Sequence, residues 1–109
     1  WQLKQRGGRL IEVTQSSADY QLYALAGGPP FRPGMVRVAE AGVSIAVEVW
    51  ELPSAELGFF LTGIPAPLGL GKVQLADGRW ESGFICEAYG LQGAENISHF
   101  GGWRAYMGR

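Results

Sequence analysis

Residues 43–50 read VSIAVEVW, and a β-branched apolar residue occupies every second position from Val43 to Val49. Successive side chains of a β-strand point to opposite faces of the sheet, so this alternation predicts a strand with one apolar face. Shorter segments of the same kind predict strands over residues 10–14, 20–25 and 35–39. The Asp77–Gly78 pair lies between residues 72–76 and 80–89 and predicts a tight hairpin between two further strands.

One segment departs from this alternation. After Pro53 and Ser54, apolar residues recur at helical spacing from Leu57 to Ile64, with Gly63 near the end. A second short helix is predicted at residues 93–97. We therefore expect an α+β domain in which one or two short helices lie on a small, curved, mostly antiparallel sheet of about six strands. The 17 glycines favour closure of that sheet into a small β-barrel.

The composition limits the classes of function. A chain of 109 residues fits one domain, assigned to residues 1–109, and 47% hydrophobic residues are ordinary for a globular domain. The net charge of −1 argues against nucleic acid or an anionic membrane as a partner, since both require a basic surface. No signal peptide is visible, so we expect a cytoplasmic protein. The chain begins at Trp1 rather than at methionine, so we also expect a segment upstream of it.

Most catalytic templates are absent from the sequence. His99 is the only histidine, which excludes a multi-histidine zinc site, and no metal or other cofactor is expected. Cys86 is the only cysteine, and we interpret it as a small buried side chain, with a nucleophile as the alternative. The sequence has neither a Walker lysine motif nor a Gly-x-Ser-x-Gly elbow.

Two loops rich in glycine and proline are the strongest candidates for a binding site. The first, residues 27–34, reads GGPPFRPG, and Arg32 is its only charged residue. Proline fixes φ and glycine opens φ values that other residues avoid, so this loop is rigid and can present Arg32 to a carboxylate. The second, residues 64–69, reads IPAPLG and can enclose a concave site together with the first. The alternatives are an Arg32 that is exposed or paired with Glu40, and a second loop that is only a structural turn.

Further candidates are scattered along the chain. Glu87 lies in the most apolar predicted strand, where it is either exposed or a functional buried acid. The hydroxyl of Tyr23 can donate a hydrogen bond. Near the C terminus, His99 can act as a general acid or base and Arg104 can neutralise an anion. The alternative for this segment is an exposed His99, with Trp103 closing the core.

Several longer motifs occur in a specific order and spacing. They are residues 5–9 (QRGGR), 20–30 (YQLYALAGGPP), 32–38 (RPGMVRV), 47–53 (VEVWELP), 63–69 (GIPAPLG) and 101–104 (GGWR). Through these segments the chain resembles the C-terminal domain of allophanate hydrolase. The resemblance extends from about Gln2 to Arg104, which is nearly the whole chain.

This resemblance implies a γ-glutamylcyclotransferase-like fold and a role in urea breakdown. In the family, an amidase domain with a Ser-cisSer-Lys triad hydrolyses allophanate, and the smaller domain drives decarboxylation of the released N-carboxycarbamate. The amidase part is not in this sequence, so we expect an isolated domain or a stand-alone relative without amidase activity. The Tyr-Gly-Ser-Leu loop of the cyclotransferases would lie before Trp1, so it is either missing or outside the given sequence, and GIPAP at residues 63–67 occupies the place of their catalytic glutamate. Cyclotransferase chemistry is therefore not expected.

The leading hypothesis is a domain that binds a small carboxylate or carbamate and assists its decarboxylation. Substrate contacts are assigned to Gly27, Gly28, Arg32 and Arg104. An amidase domain or protein is the expected partner, and a homodimer is a further expected assembly.

The proton for the leaving nitrogen is assigned to Tyr23 or His99, because decarboxylation of a carbamate needs a proton donor rather than a strong base. The alternatives are a non-catalytic support or assembly module for an amidase, and a stand-alone small-molecule binder. An exposed apolar face that carries Trp1, Trp50 or Trp80 would favour the support module.

Overall fold

The computed structural model describes residues 7–27 and 32–108. The strands are β1 (Arg9–Gln15), β2 (Tyr20–Ala24), β3 (Pro33–Arg37), β4 (Ala46–Glu51), β5 (Leu68–Gln74), β6 (Trp80–Cys86) and β7 (Glu95–Asn96). Two helices, α1 (Ser54–Thr62) and α2 (Trp103–Met107), and two 3₁₀ turns, Ala88–Leu91 and Ser98–Phe100, complete the described elements. The predicted α+β class, with short helices and antiparallel strand pairs, is confirmed.

The described strands form three small antiparallel sheets. β1 pairs with β4, β5 pairs with β6, and β2 lies between β3 and β7. The hairpin predicted at Asp77 and Gly78 joins β5 to β6 and is confirmed, with Gly78 at a φ of 94°. The Asp77 carboxylate accepts a hydrogen bond from the Arg79 amide at 3.0 Å, which holds the turn. Within the described residues the three sheets do not close into one barrel.

The segment between β1 and β2 joins the separate sheets. Ser16 is fully buried, its amide donates to the Ile45 carbonyl at 2.9 Å, and its hydroxyl accepts from the Ile45 amide at 2.9 Å. The same residue forms an isolated bridge to Leu75, just beyond β5. The Ser17 amide donates to the Gln74 carbonyl at 2.8 Å. One short segment therefore ties β1, the approach to β4 and the end of β5 together.

Tyr20 connects the segment that contains Ser16 and Ser17 to the core. Its side chain is fully buried, and its hydroxyl accepts a hydrogen bond from the Gln74 amide at 2.9 Å, so β2 is tied to β5 without a strand ladder. Around it lie the buried side chains of the core, namely Leu22, Ala24, Ile45, Val73, Ile97 and Tyr106. A buried phenol with a satisfied hydroxyl contributes both apolar area and orientation.

Helix α1 confirms the predicted helix after Pro53 and Ser54. Phe60 is its buried residue, and its ring lies 5.5 Å from the ring of Phe84 on β6. This contact places the helix on the β5–β6 sheet, as its apolar spacing predicts.

The predicted helix at residues 93–97 is wrong. Gly93 adopts a φ of 75°, which a helix cannot accommodate, and Glu95 and Asn96 form strand β7 beside β2. The free edge of β2 offers unpaired backbone groups, and pairing with them outweighs the weak local preference of this segment.

Helix α2 was not predicted from the sequence. It begins after Gly102, where an added Cβ would lie 3.0 Å from the Cβ of Ala46, so glycine favours this close approach to β4. The Ala46 amide also donates to the Gly101 carbonyl at 2.7 Å. Tyr106 is the buried residue of the helix, and Trp103 packs against the core cluster.

None of the helices in residues 7–27 and 32–108 is long and apolar enough for a bilayer span. In the same ranges, no three His, Cys, Asp or Glu side chains are grouped so that they could hold a metal ion.

The buried hydrogen bond between the Ser16 hydroxyl and the Ile45 amide leads to a stability prediction. Replacement of Ser16 by alanine leaves the buried Ile45 amide without its acceptor, so we expect Ser16→Ala to lower the free energy of unfolding by about 1–3 kcal/mol. Ser54 is exposed in the first turn of α1, whose N-cap position is Pro53, so Ser54→Ala is the matched control, with a change within about 0.5 kcal/mol. Urea unfolding followed by circular dichroism measures both. Equal stability of the two variants would contradict the role assigned to Ser16.

Candidate functional site

Arg32 closes the first glycine and proline loop and carries an unsatisfied guanidinium nitrogen. Its carbonyl accepts a hydrogen bond from the Leu25 amide at 2.9 Å, which joins the ends of the loop between β2 and β3. Its Nη1 atom is buried and has no hydrogen-bond partner in the part of the chain that the structure describes. Arg9, Arg79 and Arg104, in contrast, each form an ion pair with a carboxylate. Arg32 therefore carries a guanidinium donor that no described group satisfies.

Cys86, at the end of β6, lies beside this loop. A Cβ added to Gly34 would lie 3.1 Å from the Cβ of Cys86, so glycine permits the close approach of β3 to β6. Burial raises the pKa of the Cys86 thiol, the charge of Glu87 raises it further, and the charge of Arg32 opposes both. The thiol is thus a neutral, buried side chain, which confirms the prediction of a small buried residue.

The second loop reaches the same end of β6. The Pro67 carbonyl accepts a hydrogen bond from the Glu87 amide at 2.9 Å. Gly90 packs on the Pro67 ring, and an added Cβ there would lie 2.6 Å from the Pro67 Cβ and 3.0 Å from the Cys86 Sγ. Gly34, at the end of the first loop, and Leu68, in the second, therefore both lie next to Cys86. The tight packing at Gly90 was not found from the sequence, where a single glycine after a strand gives no signal of what it contacts.

An apolar cavity of about 610 Å³ borders this region. It lies between β4, the β5–β6 sheet and α1, and most of its lining side chains are aliphatic or aromatic. Pro33 and Leu68, the chain neighbours of Arg32 and Pro67, are part of the lining. Its acidic members are Glu48 and Glu81. The free guanidinium donor is thus next in the chain to a residue of a concave, mainly apolar surface.

The other predicted catalytic residues lie elsewhere. The hydroxyl of Tyr23 on β2 donates to the Gln21 side-chain oxygen at 3.0 Å. His99 is exposed, and its ring lies 4.4 Å from the ring of Phe100. No contact within the described ranges joins either side chain to Arg32. Their assignment as proton donors stays a prediction.

The remaining predicted substrate contacts differ in environment. Arg104 is 89% exposed, and its Nη2 lies 2.8 Å from a carboxylate oxygen of Glu48. Gly27 is exposed with a φ of 101°, and an added Cβ would meet nothing within 4 Å. Gly28 lies outside the described residues. Arg32 is therefore the predicted contact with the strongest structural argument.

Several secondary candidates also have defined positions. Glu87 is exposed, so the alternative of an exposed carboxylate is the one that the structure supports. Trp103 packs on the core, as predicted. Trp50 lines the apolar cavity and donates to Glu48 at 3.1 Å, whereas Trp80 is 46% exposed. Trp1 lies outside the described residues.

The described residues define a small α+β domain of short antiparallel sheets, with an unpaired arginine between glycine and proline loops. The chain belongs to the allophanate hydrolase C-terminal domain family, whose family model matches residues 1–108. The described fold and the sequence motifs lead to the same family.

Individual relatives agree with this assignment. The chain is 40% identical to the urea amidolyase of Saccharomyces cerevisiae over 111 residues, which cover 98% of the chain and 6% of that protein. Its fold is similar to the solved allophanate hydrolase of Kluyveromyces lactis, with a TM-score of 0.94, 38% identity, and coverage of 98% of this chain and 18% of that one. A uropathogenic E. coli-specific protein of known structure is 34% identical, with a TM-score of 0.89, and the match covers 98% of this chain and 82% of that one. The chain thus corresponds to a small part of the two large enzymes.

The contact between Gly90, Pro67 and Cys86 can be tested with a pair of glycine variants. We expect Gly90→Ala to lower the free energy of unfolding by about 1–3 kcal/mol, because the new methyl group collides with a rigid proline ring. Gly58 lies inside α1 with nothing within 4 Å of an added Cβ, so Gly58→Ala should stabilise the protein by up to about 1 kcal/mol. Chemical denaturation measures both changes. A Gly90→Ala protein as stable as wild type would show that the second loop does not pack as described.

Proposed function

We propose that this domain binds a small carboxylate through Arg32 and assists the decarboxylation of N-carboxycarbamate during allophanate and urea breakdown. The observation that supports this proposal most directly is the buried Nη1 of Arg32, which has no partner within the described residues. Membership of the allophanate hydrolase C-terminal domain family supports the choice of substrate.

The buried, unsatisfied donor of Arg32 has a cost in free energy. A charged group that loses its hydration without gaining a hydrogen bond destabilises the fold by about 1–3 kcal/mol or more. A carboxylate restores the missing bond, and the planar guanidinium can donate two parallel hydrogen bonds to it. The binding of an anion would therefore remove a cost that the free protein carries.

The chemistry requires little from the protein beyond binding and a proton. In each decarboxylation the bond between nitrogen and the carboxylate carbon breaks, its electron pair stays on nitrogen, nitrogen takes up one proton and carbon dioxide leaves. Arg32 would hold one carboxylate of the substrate, and the other would lie toward the apolar cavity lined by Pro33 and Leu68. An apolar surface disfavours a carboxylate relative to neutral carbon dioxide, which promotes the release. Tyr23 or His99 would supply the proton directly or through water.

The remaining features of the proposal come from the sequence resemblance. They are a γ-glutamylcyclotransferase-like fold, a single domain over residues 1–109, a cytoplasmic location and an amidase domain as partner. A homodimer belongs to the same set. Gly27, Gly28 and Arg104 are proposed as further substrate contacts.

The second candidate function is support of an amidase domain without catalysis. Val13 and Ile11 on β1 are 70% and 50% exposed, and an apolar strand surface of this kind can pack against another domain. The large relatives of which this chain matches 6% and 18% are consistent with such a neighbour.

The experiment is a calorimetric titration with malonate, a dicarboxylate that resembles the substrate and does not lose carbon dioxide under these conditions. We expect wild-type protein to bind malonate and Arg32→Ala to weaken binding roughly tenfold to a hundredfold, since hydrogen bonds to a charged group contribute about 1.5–3 kcal/mol. Arg32→Lys keeps the positive charge but loses the two parallel N–H donors of the guanidinium, so its affinity for malonate should lie between those of wild type and Arg32→Ala. Arg9→Ala, which removes an exposed arginine paired with Glu51, is the matched control and should bind malonate like wild type.

Thermal unfolding of each variant separates loss of binding from loss of folding. Arg32→Ala should remain folded, because the lost nitrogen made no hydrogen bond in the described structure. Absence of malonate binding by wild type would favour the support module. Unchanged binding by Arg32→Ala, with a loss in Arg104→Ala, would move the anchor to Arg104.

A further inference from the structure

A second group of cations lacks acidic partners. Within residues 7–27 and 32–108, Arg9, Arg79 and Arg104 form ion pairs. Arg37, at the end of β3, and Lys72, in β5, form none in the same ranges. Neither Arg37 nor Lys72 therefore has its charge neutralised by an ion pair within these ranges, and the nearest acidic residue in the chain to the groove lining is Glu87, next to Cys86.

These two cations line one groove with apolar walls. The groove has a volume of about 500 Å³ and lies beside β3, the end of β6 and the following 3₁₀ turn. Its apolar walls are formed mainly by Val36, Val38, Ile85 and Leu91. No acidic residue is among the described residues that line it. Sites for small molecules typically have volumes of about 300–1,000 Å³, apolar walls and a few polar groups, and this groove has all three properties.

Both charged groups are held in place by neighbours that leave their charge available. The Arg37 guanidinium lies 5.0 Å from the ring centroid of Trp80, a cation–π contact that fixes its position without neutralising it. The Lys72 Nζ donates to the Ser82 hydroxyl at 3.0 Å, which uses one of its three donors. Each cation therefore keeps N–H groups that neither of these two contacts uses.

We propose that this groove binds an organic anion, specifically a monocarboxylate with a short hydrocarbon chain. The carboxylate contacts Arg37 and Lys72, and the chain lies on the apolar walls. The site shares none of the charged residues of the Arg32 site and does not depend on its function. Cys86 is common to both regions, since it lines the groove and lies beside Gly34 at the end of the first loop.

The apolar walls predict a dependence on chain length. Hexanoate has four methylene groups more than acetate, and each contributes about 0.8 kcal/mol when it is fully buried. Because the groove is open to solvent, we expect half of that gain or less, which corresponds to about tenfold tighter binding of hexanoate than of acetate. The charge contributes separately, so 1-hexanol should bind more weakly than hexanoate.

The test is a titration with hexanoate, acetate and 1-hexanol, followed by NMR signals of the methyl groups of Val36, Val38, Ile85 and Leu91. We expect Arg37→Gln and Lys72→Gln each to weaken hexanoate binding about threefold to tenfold, and to leave the weak binding of 1-hexanol unchanged. Arg9→Gln removes an exposed arginine outside the groove and is the matched control, with unchanged affinity. Arg32→Ala should bind hexanoate like wild type, and Arg37→Gln should bind malonate like wild type.

Three results would overturn the proposal. They are the absence of methyl shifts with hexanoate, equal affinities for hexanoate and 1-hexanol, and unchanged hexanoate affinity in both glutamine variants. A loss of hexanoate binding in Arg32→Ala alone would also overturn it, because it would place the anion in the first site. None of these results depends on malonate binding, so the two proposals fail separately.

Discussion

The buried hydroxyl of Ser16 is the contact on which the arrangement of this domain depends. Three small sheets have few ladders between them, so their relative positions must come from other hydrogen bonds. Ser16 accepts from the Ile45 amide at 2.9 Å and donates to the Ser17 carbonyl at 2.9 Å. Because Ser16 is fully buried, each of these hydrogen bonds replaces one that the polar group would make with water. Loss of either bond leaves a buried polar group without a partner and lowers the free energy of unfolding.

The hydrogen bonds of Ser16 also help to position the candidate site. They fix the start of β2 through the buried Tyr20, and β2 in turn carries β3 in a register that pairs Tyr23 with Gly34. Arg32 immediately precedes β3, so its guanidinium is held beside Cys86 by strand pairing rather than by the loop alone. The loop therefore needs only to close, which the hydrogen bond from the Leu25 amide to the Arg32 carbonyl achieves.

Local patterns in the sequence predict those parts of the fold that depend on neighbouring residues. The alternation around Val47, the Asp77–Gly78 turn and the apolar spacing of α1 all lead to the observed elements. Strand β7 was missed because two residues show no periodicity, and its formation depends on the free edge of β2. Helix α2 was missed because its start depends on contact between Gly102 and Ala46, which are far apart in the chain.

The candidate site, like the fold, was predicted from the sequence only where a local pattern is sufficient. Arg32 was predicted because a lone charge among glycine and proline is visible in the sequence. Other features depend on β6 lying beside β3, which no short sequence motif predicts. They are the packing of Gly90 on Pro67, the position of Cys86 and the groove with Arg37 and Lys72. The sequence also suggested that Arg104 belongs near the substrate, whereas its ion pair with Glu48 gives it a partner of its own. The sequence shows residue types and the rigidity of a loop, but only the structure shows which hydrogen-bonding groups have partners.

The most direct test of the account is a crystal structure of the protein with malonate. The account predicts one malonate carboxylate oxygen at about 2.7–2.9 Å from the Arg32 Nη1, the distance of a charge-assisted hydrogen bond. It also predicts that Cys86 and Gly34 remain in contact beside the ligand. A malonate bound only at other residues, with the Arg32 Nη1 donating to a protein carbonyl instead, would contradict the assignment of Arg32 as the anchor.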